Sequence, residues 1–69
     1  PTTGSVEIMQ KVLSIDPTNV EALFFVGLAA AGADDAAEAG QLWKKAQAGV
    51  PAGSDEYKAL QRQIDGLAK

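Results

Sequence analysis

The sequence predicts an all-α chain of four antiparallel helices joined by short turns. Three observations carry this. Pro17 and Pro51 lie 34 residues apart, and the residues upstream of each match in type. Alanine and glycine are abundant while β-branched residues are few, a balance that favours helix. Between the breaks, apolar residues recur at the three- and four-residue spacing of one helical face.

The first helix is expected from about Gly4 to Ile15, with Val6, Met9, Val12 and Leu13 on one face. Asp16-Pro17 ends it, because the residue before a proline avoids the helical region. Thr18-Asn19-Val20-Glu21 reads as a capping box. In that motif the Thr18 hydroxyl accepts from the Glu21 amide, and the Glu21 carboxylate reaches back to the Thr18 amide. The second helix then runs to about Ala31, where Gly32 can take the left-handed conformation that closes a helix. Asp34 or Asp35 caps the third helix, and Glu38 places negative charge in its first turn, where the helix dipole favours it. That helix runs to about Ala48, with Lys44 and Lys45 in its later turns. Gly49 to Gly53 form a loop. Ser54 caps the fourth helix, Asp55 and Glu56 fill its first turn, and Tyr57, Leu60, Ile64 and Leu67 make its apolar stripe.

Composition limits the function. The chain has 69 residues, a net charge of -3, and no cysteine or histidine. A domain this short buries only roughly 60% of its unfolded surface, so its stability depends on good packing or on neighbours. The acidic balance and the lack of a basic run argue against nucleic acid and against an acidic membrane surface. Without cysteine there is no disulfide, thiolate nucleophile or zinc-thiolate site. Without histidine the commonest general base is missing, and Ser5, Ser14 and Ser54 have no base placed to activate them. No glycine-rich phosphate loop joins a strand to a helix. No stretch approaches the roughly 18 apolar residues of a membrane span. An enzyme is not expected, and no cofactor or metal is implied. Asp34, Asp35 and Glu38 lie where a helix start wants carboxylates, without the oxygen-rich loop a hard cation needs.

The 34-residue frame is specific. Ala46, Trp43 and Ala39 lie 5, 8 and 12 residues before Pro51, and Val12, Met9 and Ser5 lie at the same offsets before Pro17. Leu23-x2-Val26-Gly27-x2-Ala30, then Ala39-x3-Trp43, then Pro51, resembles the tetratricopeptide repeat. In this frame Gly27 lets the second helix approach the third, Ala39 faces that gap, Trp43 fills the space between helices, and Pro51 forces the next turn. Moving the second helix forward by one period lands Leu23, Val26 and Ala30 on Tyr57, Leu60 and Ile64, with Gln61 in place of Gly27. The resemblance implies a helix-turn-helix solenoid and a single domain over residues 1–69. Residues 1–19 would be the second helix of a truncated repeat, 20–53 a complete repeat, and 54–69 a capping helix. Such arrays usually need about three repeats to stand alone, so the chain reads as a piece of a longer protein.

The run Gly49-Val50-Pro51-Ala52-Gly53-Ser54-Asp55, followed by Leu60 and Ile64, is similar to a narrower family. That family is the c-type cytochrome biogenesis proteins that chaperone apocytochrome c. Its members tend to carry a leucine-proline-x-glycine-serine turn before a closing helix, and here Val50 precedes the proline. The likeness implies a periplasmic domain of a bacterial, membrane-anchored protein that holds the C-terminal helix of an apocytochrome c. Any membrane contact would then come from parts of the parent protein outside this chain.

The expected function is protein or peptide binding, with an amphipathic helix in a groove. The packed face of the second helix is accounted for by Leu23, Val26, Gly27 and Ala30. Phe24 and Leu28, spaced by four, point to a different face, the concave one in such repeats. Phe24, Phe25 and Leu28 are the candidate apolar floor, and Glu21, Lys58 and Arg62 the candidate orienting charges. Two alternatives remain open. One is a clamp on another protein's C-terminal tail, for which the second helix offers few cationic or amide donors. The other is a scaffold or self-assembling segment, a homo-oligomer with no separate ligand.

Overall fold

The structure is a computed structural model that describes residues 2–67, with side chains from Val6 onward. It is all-α, as the sequence predicts. The four helices are α1 (Thr2–Ile15), α2 (Val20–Gly32), α3 (Ala36–Gln47) and α4 (Asp55–Leu67). Each packs against the next in chain order. The body measures 31 × 27 × 18 Å, so its thin dimension is under two helix diameters of roughly 10 Å.

The helix ends show how each turn is made. Pro17 ends α1, but the expected capping box does not form. Asn19 is the N-cap of α2, its side-chain oxygen accepting from the Ala22 amide at 2.9 Å. Thr18 turns the other way, and both its hydroxyl and its amide donate to Asp16 Oδ1, at 3.0 and 3.3 Å. The Asp16-Pro17 corner thus takes the Thr18 hydroxyl, and the cap passes one residue along. At the far end of α2, Gly32 stays helical and Ala33 is the cap. The left-handed residue is Asp34, at φ 67°, not the glycine the sequence suggested. Aspartate tolerates that region better than most side chains. Asp35 then caps α3 by accepting from the Glu38 amide at 3.2 Å. Ser54 caps α4 through the Tyr57 amide, as expected.

The core lies between α2, α3 and α4. Leu23, Ala39, Trp43, Ala46 and Leu60 form one buried cluster, with Ile64 and Leu67 packed against it. Trp43 is 1% exposed and depends on Gly27. A Cβ built on Gly27 would overlap the indole, coming within 2.7 Å of its Cδ1. With no side chain there, the ring lies against the α2 backbone and Nε1–H donates to the Phe24 carbonyl at 3.2 Å. A buried indole needs such a partner.

Phe24 corrects the sequence reading. It is half-buried and packs on the core rather than facing a free groove. Its ring centroid is 6.4 Å from that of Trp43, tilted by 35°. The indole extends past the Gly27 gap far enough to recruit the neighbouring residue.

A polar link closes the α3–α4 seam. Gln47 Nε2 donates to the Tyr57 carbonyl at 3.3 Å and to Gln61 Oε1 at 3.0 Å. Gln61 in turn donates to Asp65 at 2.9 Å. Gln61 stands one period after Gly27, so the two seams use that position in opposite ways. In one it yields space, and in the other it supplies a hydrogen bond.

Candidate functional site

α2 has Glu21 as its only charged residue and is otherwise apolar or small around its whole circumference. A helix apolar all round belongs in a core. This one packs mainly against α1 on one side and α3 on the other. Ala22, Leu23 and Gly27 are buried, while Leu28 is left 41% exposed.

The leftover strip forms one wall of an open groove between α1 and α2, with a volume of about 810 Å³. Phe25, Leu28, Ala29 and Gly32 come from α2, and Val6, Glu7 and Gln10 from α1. The α2 residues follow the spacing i, i+3, i+4, i+7, which lines up one face of a helix. Gly32 is exposed and has open space where a Cβ would stand. A smaller hollow of about 300 Å³ shares Val6, Gln10, Ala29 and Ala33 with it and runs on to Asp35 and Glu38.

Of the six residues singled out from sequence, Phe25 and Leu28 line this groove. Phe24 is taken by the core. Glu21, Lys58 and Arg62 are exposed, and none of them lines either hollow. The sequence frame put Lys58 and Arg62 beside the groove, but the groove opens toward α1 and not toward α4. The α1 wall was missed. Val6 was assigned to the helix's packing face, and Glu7 and Gln10 carried no distinguishing signal. Their three-residue spacing on α1 was the one available clue.

The chemistry of this surface is apolar contact with a polar rim. Among the described residues no group of three acidic or metal-ligating side chains is placed to hold a metal ion. Asp35 and Ser54 are occupied as helix caps. No described helix is long and apolar enough to cross a membrane.

No protein-family model, curated protein or solved structure matches this chain.

Proposed function

We propose that the chain is a peptide-binding module of the tetratricopeptide type that takes an amphipathic helix in the α1–α2 groove. One observation carries this. The apolar strip of α2 that packing does not use is walled by α1 into a concave surface with helical spacing, and Leu28 is exposed at its edge. Helix-in-groove recognition uses anchors with that spacing. The 34-residue frame supports the repeat reading, since Met9 and Val12 of α1 stand where Trp43 and Ala46 stand in α3. The turn from Gly49 to Asp55 makes the C-terminal helix of an apocytochrome c the first ligand to try. With that ligand the chain would belong to a periplasmic assembly factor.

The test is a titration of such a peptide against the chain, with Leu28→Asp and Gly32→Ala beside the wild type. Leu28→Asp puts a charge at the groove edge. Gly32→Ala adds a methyl to the groove lining where nothing in the fold is in the way. Both variants should keep the wild-type helical signal and lose affinity. Binding that neither variant weakens would place the ligand elsewhere.

A second reading has its own observation. Ile8 and Ile15, seven residues apart on α1, are 62% and 85% exposed. Two isoleucines on one helix face are a self-association contact in a chain that binds its own copies. A sedimentation series over protein concentration separates the two readings. A mass that rises with concentration, and is abolished by Ile8→Lys with Ile15→Lys, favours assembly.

A further inference from the structure

The charges around the groove are of one sign. Glu7 stands on its α1 wall, and Asp35 and Glu38 stand where the smaller hollow meets the start of α3. Among the described residues no lysine or arginine lines either hollow. The α3 N-terminus contributes roughly half a positive charge, less than the two carboxylates beside it. The charged residues on the rim are therefore negative.

From this we infer that the groove selects an amphipathic helix whose apolar stripe is flanked by lysine or arginine, and rejects one flanked by acidic residues. The inference rests on the groove reading above and adds to it the sign of the partner. The floor accepts apolar anchors without regard to charge. The rim then discriminates, because like charges brought together across an interface are penalised and opposite ones steer the encounter.

The experiment uses two synthetic helical peptides with the same leucine and alanine stripe. One is flanked by lysine and arginine and the other by glutamate. Each is titrated against the full chain at low and at high salt. The basic peptide should bind roughly tenfold more tightly at low salt, the size expected for a few exposed pairs. The gap should close as salt shortens the screening length from about 10 Å toward about 3 Å. Glu7→Gln with Glu38→Gln should remove most of the preference while leaving the melting temperature near that of the wild type. Asp35 is kept, because it caps α3. Equal affinity for the two peptides would overturn the charge inference and leave the groove intact. A preference that survives Glu7→Gln with Glu38→Gln would overturn it too, by assigning the sign to another surface. Failure of both peptides to bind at any salt would overturn the groove itself, and the inference with it.

Discussion

The α2–α3 seam and the α1–α2 seam are built on the same 34-residue frame and end in opposite states. In the first, Trp43 fills the gap that Gly27 leaves, and Leu23, Ala39, Trp43 and Ala46 are buried, with only the smaller hollow open where α3 starts. In the second, Met9 and Val12 hold the positions of Trp43 and Ala46 and are only half-buried. The difference lies in how α2 spends its surface. Its Leu23–Gly27 face goes to α3, and the face left for α1 includes a row of small residues, Ala29, Gly32 and Ala33, which leaves a hollow. A single helix thus makes a closed joint on one side and an open groove on the other. The closed side supplies stability.

The largest test of that division is Trp43→Ala against Met9→Ala. Removing a fully buried tryptophan costs about 3–5 kcal/mol. A chain of this size has only about 3–10 kcal/mol in all, so the variant should be largely unfolded at room temperature. Met9→Ala should cost less than about 2 kcal/mol, because its side chain is already half in water. Thermal melts followed by circular dichroism compare the two. Similar losses would mean that the α1 seam is as closed as the α3 seam.

Two glycines on α2 sharpen the contrast, since the same mutation should act with opposite sign at each. Gly27→Ala forces a methyl into the indole, which is fixed by its hydrogen bond to Phe24. Overpacking of this kind costs about 1–3 kcal/mol. Gly32→Ala meets open space, and replacing a helical glycine should raise stability by up to about 1 kcal/mol. The predicted result is one melting temperature below and one above the wild type. A stabilised Gly27→Ala would show that α2 and α3 are not in close contact there.

The sequence made the closed seam legible and the open one mostly not. Trp43, Gly27, Ala39 and Leu60 follow from periodicity, because buried contacts between helices demand particular sizes at particular spacings. Phe24 was misassigned because a face count on α2 alone cannot register how far the indole reaches. The groove was half legible. Phe25 and Leu28 are visible as apolar residues that the packing frame leaves over. Glu7 and Gln10 look like any solvated positions on a helix until α1 is docked. The orienting charges went to Lys58 and Arg62 because the frame gives the spacing of residues along a helix and not the direction in which a cleft opens. Gly32 reads as a helix terminator by composition, yet Asp34 takes the left-handed turn and Gly32 stays in α2, where it lines the groove.

The smallest effect concerns how α2, the helix shared by both seams, is started. Asn19 caps it by bonding the Ala22 amide, while Thr18 bonds back to Asp16 and leaves α2 alone. Asn19→Ala strands an amide in the first turn, next to buried Ala22 and Leu23, and should cost about 1 kcal/mol. Thr18→Ala breaks an exposed contact and should cost no more than about 0.5 kcal/mol. If the capping box of Thr18 and Glu21 operated instead, the order would reverse, and Glu21→Ala would join Thr18→Ala in lowering stability. Urea midpoints for the three variants decide this. The outcome bears on both seams, because fraying the first turn of α2 loosens Leu23 in the core. Phe25, Leu28 and Gly32 lie one to three turns further along. Asn19→Ala should therefore lower the melting temperature while leaving peptide affinity in the groove nearly unchanged. A matching loss of affinity would mean that the two faces of α2 are not separable, and that the open seam borrows its shape from the closed one.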